Sequence, residues 1–297
     1  MRLYVNKNIE YITYSIPIVT TFISVFIALN NGYFKELYVI IPQSFQGNNI
    51  IIIGFTLGLI PLTIVKMINF MYIRNFEKTV PKFLDIVIEN IKGGQTFLNA
   101  LEKASELYKY PIGSVIKDSI TKFKLGFSFE ESMNLAEKKF KIKQAKEFIS
   151  IIKKSFFSGE NAINILKNAS EYYWLLENYR ATREAQLKIY IPVIVLSFII
   201  FLFLSGITIS QLFKPLIQAQ PSLEEAAKKQ VSSSLQVFIF KINLEAIISS
   251  LYWMGFFQAL FSGLILSKII YNRIGRGLIY SLIFLFMLIL FYNIYPF

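Results

Sequence analysis

The side chains that could do chemistry in this 297-residue chain form a short list, because it contains no cysteine and no histidine. That excludes thiol nucleophiles, disulfides, imidazole acid–base catalysis, haem ligation and zinc sites built on those ligands. Asp85 and Asp118 are the only aspartates, so a metal site of paired Asp-rich stretches is excluded as well. No phosphate-binding glycine loop and no Gly-x-Ser-x-Gly elbow is present, and nothing in the chain calls for a cofactor. What remains is basic charge. Lys138, Lys139, Lys141, Lys143 and Lys146 crowd into nine residues, Lys153 and Lys154 follow, and Arg273 and Arg276 sit in a short Gly-containing segment. Such groups bind anions. A patch of this kind can be a solvated face, an attraction to anionic lipid headgroups, or a docking site for an acidic partner protein. The net charge of +12 is not read as a nucleic-acid signature, since no aromatic-interleaved basic motif accompanies it.

The elements that must position these residues follow from how apolar residues are distributed. Overall, 54% of residues are hydrophobic and 17% charged, against about 25% charged in an ordinary soluble domain. Residues 74–188 nevertheless hold 20 of the 31 Lys and Arg and 14 of the 19 Asp and Glu. Crossing about 30 Å of hydrocarbon takes about 20 apolar residues as a helix. Five stretches qualify: Tyr11–Leu29, Ile50–Ile73, Ile189–Phe213, Ala246–Ile270 and Leu278–Tyr295. The first also resembles a signal peptide, with Arg2 and Lys7 before it, but no small-residue cleavage site follows.

The fold expected is all-α: a polytopic membrane protein with about five transmembrane helices and a cytoplasmic six-helix antiparallel bundle. Residues 1–73 form an N-terminal membrane part, 74–188 the bundle and 189–297 a C-terminal membrane part with an external segment at 214–245. Arg74, Lys78, Arg180, Arg183 and Lys188 flank the bundle, and the positive-inside rule then sets the N-terminus inside and the C-terminus outside. Lys35, Lys214, Lys228, Lys229 and Lys241 fall outside, partly offset by Glu224, Glu225 and Glu245. Pro221-Ser222-Leu-Glu-Glu225 reads as a helix start with Ser222 as N-cap. Lys66 and Lys268 are the only ionisable residues within the spans, and both are near the expected cytoplasmic ends. Gly54 and Gly58 make a Gly-x-x-x-Gly pair that permits close helix packing.

The middle region repeats itself. Aligning 83–106 with 148–171 without a gap gives eight identities in 24 positions, among them Phe83/Phe148, Gly94/Gly159, Leu101/Leu166, Ala104/Ala169 and Ser105/Ser170. Chance gives roughly one or two at a fixed offset. A weaker third copy opens at Gly126. In each, a glycine closes one helix through positive φ, and Thr96, Ser128 or Asn161 two residues later offers a cap for the next. Ser128 and Glu131 have the spacing of a capping box. Leu101, Met133 and Leu166, each three residues before an alanine, then share one helical face with it. Tyr172, Tyr173 and Trp174 are read as bundle core.

At these residues the chain resembles the type II secretion F family, the inner-membrane platform proteins of type IV pilus, Tad and archaellum machines. Gly94-Gln-Thr-Phe-Leu-Asn-Ala-Leu101 fits the family's helical turn, and Ser158-Gly-Glu-Asn-Ala-Ile-Asn-Ile-Leu166 fits its Ser-Gly turn. The likeness covers about 80–213. Family members usually carry two copies of this domain and this chain has one, which resembles the Tad-type or archaeal pilus members and leaves a homodimer to supply the second. The resemblance implies a non-catalytic protein of the cytoplasmic (inner) membrane. Its partners would be a hexameric secretion ATPase, pilin or archaellin subunits and membrane lipids, with no nucleic acid. The ATPase would meet the lysines listed above and Arg273 and Arg276. It also implies force transmission along a nearly continuous Asn161–Phe213 helix, bent at Pro192. The alternative is a small-molecule or ion transporter or channel with a cytoplasmic regulatory domain, which the scarcity of intramembrane charge disfavours.

Overall fold

The computed structural model describes residues 7–33, 44–108, 110–140, 142–229 and 243–295. Arg2, Lys35, Lys141 and Lys241 lie outside the described residues, as do the side chains of Lys7, Lys228, Lys229 and the Ser222–Glu225 stretch. Among the described residues all regular structure is helical. Five helical stretches are long and apolar enough to cross a membrane: Ile9–Asn30, Phe45–Lys92, Gly159–Pro221, Leu244–Tyr271 and Ile274–Ile294. The chain divides into two units, Met67–Gln186 and the pair of segments Lys7–Lys66 and Leu187–Phe297.

The first unit holds the end of α2 (Phe45–Lys92), α3 (Phe97–Leu107), α4 (Ile112–Lys124), α5 (Phe129–Phe140), α6 (Lys143–Phe157) and α7 (Ala162–Leu187). Its core is continuous and includes Phe76, Val80, Phe83, Leu101, Ile116, Met133, Phe148 and Leu166. The repeat-related positions carry it: Phe83, Phe148, Leu101, Leu166, Ala104 and Ala136 are all fully buried.

Helix ends obey the local grammar of glycine. Gly94 has φ +85° and Gly126 φ +99°. At each, the next residue's N–H donates five residues back, Gln95 to Asn90 O at 3.1 Å and Phe127 to Lys122 O at 3.3 Å. The glycine's own N–H donates three back, which is the Schellman pattern that satisfies carbonyls left over by the helix. Thr96 then accepts from the Asn99 N–H. Ser128 accepts from Glu131 N–H at 3.2 Å, while Glu131 Oε2 accepts from Ser128 N–H at 3.3 Å. The third turn departs from this plan. Gly159 has φ +51°, but Gly159–Asn161 form a 3₁₀ turn, and Asn161 does not cap α7. Its N–H donates to Ser158 O at 3.1 Å and its Oδ1 accepts from the Asn164 side chain at 2.9 Å. The tighter turn uses up the geometry that a cap requires.

The second unit contains α1 (Lys7–Asn30), the first part of α2, α8 (Tyr190–Ile207), α9 (Lys214–Lys229), α10 (Leu244–Tyr271) and α11 (Gly277–Ile294). Small residues let backbones approach. A Cβ on Gly58 would meet Pro17 Cα at 2.7 Å, and one on Gly263 would meet the Ser281 backbone N at 2.2 Å. Near the other end of α10 lies an uncharged polar set. Tyr252 donates to Asn49 Oδ1 at 2.9 Å, Trp253 donates to Asn48 Oδ1 at 2.8 Å, and Asn49 donates to Asn293 Oδ1 at 2.9 Å.

Two sequence expectations change here. The α9 helix starts at Lys214, so Ser222 is no N-cap and Pro221 lies inside the helix. The reason is that the run from α8 passes without a break through 208–213 into α9, so no new helix start is made near residue 222. The helical run breaks at Lys188–Ile189, between α7 and α8, and Pro192 has no N–H to bond the Lys188 carbonyl four residues before it. A π-helical segment, Thr208–Phe213, follows α8.

Candidate partner-docking surfaces

Aromatic contacts fix the two ends of the first unit. At one end Phe97, Phe123, Phe129 and Phe156 gather, with Phe129 and Phe156 stacked at 3.8 Å. These residues start α3 and α5 and finish α4 and α6. The three glycine turns lie among those helix ends. At the other end Tyr72 donates to Phe140 O at 3.2 Å and meets the Tyr110 ring at 5.6 Å, while Phe76 meets Phe140 at 5.2 Å. The chain enters and leaves the unit at this second end. There Arg74 binds Glu177 at 2.7 Å and Glu184 at 3.5 Å, and Arg180 binds Glu77 at 2.9 Å. These pairs clamp the first turns of the unit to its last. Arg74 is 15% and Glu177 13% exposed, so their attraction is less screened than at an open surface.

The lysines are consequently not one patch. Lys143 opens α6 and Lys154 stands near its close, about 16 Å apart at 1.5 Å per residue. Lys138, Lys139, Lys143 and Lys146 surround the α5–α6 connection at the entry and exit end. All four are exposed, and Lys139 bonds Asp118 at 2.5 Å. Lys138, Lys143 and Lys146 make no ion pair among the described residues. Lys153 and Lys154 belong to the glycine-turn end. Lys153 donates to Asn134 at 2.9 Å, and with Lys154 it lines a groove of about 490 Å³ that also includes Glu130, Ser150, Phe157 and Ile165. Beside it, Leu125, Phe127 and Phe157 are 75%, 50% and 66% exposed, a high value for large apolar side chains on a charged helical unit. Arg273 and Arg276 are in the second unit, where Ser267 donates to Arg273 O at 2.6 Å and Arg276 lies 3.9 Å from the Tyr271 ring centroid.

The aromatic triplet after the third turn divides as well. Tyr172 is exposed, Tyr173 packs against the core, and Trp174 donates its indole N–H to Asp85 Oδ2 at 2.8 Å. Asp85 also accepts from Ser170, a residue of the repeat. Burial, with Asp85 nearby, raises the Tyr108 phenol above its ordinary value. Sequence reading had no signal for this cluster, because its partners lie 85 and 89 residues apart. Lys66 likewise pairs with Glu10 and lies 4.8 Å from the Tyr14 ring, which neutralises it inside the second unit.

Residues 83–210 match the model of a family described as type II secretion system (T2SS), protein F. An uncharacterized protein of Methanocaldococcus jannaschii is 22% identical over 174 residues, 59% of this chain and 29% of that protein. The chain thus spans less than a third of the length of the relative it matches. No solved structure matches.

Proposed function

Because residues 83–210 carry a type II secretion system protein F domain, we propose that this chain is a non-catalytic platform protein of the inner membrane. It serves a machine of the type IV pilus, archaellum or secretion class. Residues 74–188 form its cytoplasmic six-helix domain, the N-terminus lies inside and the C-terminus outside. Membership of the family supports association with secretion machinery, since its members are non-catalytic platform proteins. The domain couples a hexameric ATPase to the insertion of pilin or archaellin subunits, and a homodimer supplies the second domain copy.

The geometry favours the glycine-turn end as the ATPase-docking surface. It lies away from the two chain crossings, and it combines Lys153 and Lys154 with exposed Leu125, Phe127 and Phe157. Exposed apolar groups give such an interface its core and lysines steer an acidic partner to it. The Arg74 and Arg180 ion pairs then carry a displacement of the helices to both crossings together.

Detergent-solubilised full-length protein, used as bait in a lysate of the cells that make it and probed for a hexameric secretion ATPase, tests this. The expected result is retention of the ATPase, lost in a Lys153→Glu/Lys154→Glu/Phe157→Ser variant that keeps the parent Tm. Failure of the parent protein to retain any secretion ATPase would sink the platform reading. Retention by the triple variant would move the docking site elsewhere.

A further inference from the structure

We propose that Lys138, Lys143 and Lys146 hold the α5–α6 connection against the membrane surface by binding the anionic headgroups of phospholipids. This goes beyond the platform reading and does not depend on which machine the protein serves. Three observations carry it. The lysines are exposed and without ion pairs among the described residues, whereas Lys139 beside them is engaged by Asp118. They lie at the end of the first unit where α2 and α7 carry the chain in and out. Phe140, next to Lys139, is held by Tyr72 and Phe76 of α2. That same continuous helix, Phe45–Lys92, is one of the candidate membrane spans.

Position therefore separates two roles that the bare cluster of charges left open. Tyr72 stands at the end of the expected Ile50–Ile73 span, and the Phe140 carbonyl it bonds is two residues from Lys138. Basic residues beside the end of a span meet the headgroup field with little screening, since the Debye length is about 8 Å at physiological salt. Tyr110, 39% exposed and packed on Tyr72, adds a phenol of the kind that favours the membrane–water boundary. Phosphate diesters are the anions at that boundary. Lysine suits them as a flexible point charge with three donors, and each such lysine contributes about fivefold to attraction.

The full-length protein in lipid nanodiscs gives the test. Ile142 precedes α6 without a side-chain cap, so the first-turn amides of α6 report on anything that covers them. Hydrogen exchange at Lys143–Lys146 should slow about tenfold on going from phosphatidylcholine discs to discs containing phosphatidylglycerol, and the effect should vanish at high salt. Lys138→Gln/Lys143→Gln/Lys146→Gln should abolish the difference, arginine at the same positions should preserve it, and Lys153→Gln/Lys154→Gln should leave it intact. Equal exchange in the two discs overturns the proposal. So does an undiminished lipid effect in the triple glutamine variant, or equal protection by soluble glycerol phosphate in phosphatidylcholine discs. Loss of ATPase retention by that variant with its lipid response unchanged would assign the lysines to the protein partner instead.

Discussion

An ideal Cβ on Gly113 would sit 1.3 Å from the Tyr108 carbonyl oxygen and 2.4 Å from that of Ser105. Both are backbone atoms, one in the last turn of α3 and one in the residue that ends it, so neither can swing aside. Gly113→Ala should therefore cost about 3 kcal/mol, read as a fall in Tm of the purified protein. Gly93→Ala is the matched control, because its Cβ finds nothing nearer than 3.4 Å, and its effect should stay within about 0.5 kcal/mol. An unchanged Tm for Gly113→Ala would mean that the α3–α4 connection is not packed as described. No pattern in the sequence singles out Gly113. Gly94 and Gly126 were legible because a glycine followed by a capping residue is a local signal, complete within a few positions. The demand on Gly113 comes from a carbonyl five residues away whose direction only the folded turn sets.

Between elements, the informative contact is α1 on α2. The Gly54 and Gly58 spacing was visible as a permissive motif, but nothing in it named the partner helix. The structure names it: Gly58 lies against Pro17 and Thr20, and Gly54 against Ser24. The two sites should respond differently. A Cβ at 58 meets backbone, so Gly58→Ala should lower Tm more than Gly54→Ala, whose Cβ meets the Ser24 Cβ at 2.6 Å. Ser24→Gly should rescue Gly54→Ala and leave Gly58→Ala unrescued. Equal losses without rescue would place α1 elsewhere. On α10, Gly255, Ala259 and Gly263 form a similar ridge, with Leu288 against Gly255 and Ser281 against Gly263. The lysine cluster shows the opposite lesson. Its members are neighbours in sequence, yet the length of α6 sends Lys143 and Lys154 to different ends of one unit. A charge count along the chain merges them because it contains no axis.

For the whole molecule, the testable statement is topology. The chain has no native cysteine, so single cysteines at exposed Asn31 and Glu160 give clean reporters. A membrane-impermeant maleimide applied to intact cells should label Asn31→Cys and spare Glu160→Cys until the membrane is opened. Labelling of both from outside would overturn the proposed placement of residues 74–188. Sequence alone determined the five apolar helices and the duplicated Gly-turn pattern of the middle region. The reason is that a span's length and a helix end are both dictated by backbone groups that must be satisfied within a few residues. Tertiary structure alone decided that Asp85 receives Ser170 and Trp174, that Glu10 neutralises Lys66, and that one run of lysines serves two ends of a helical unit. Those outcomes depend on which faces meet across 56 to 89 residues of chain, and such distances leave no local periodicity to read.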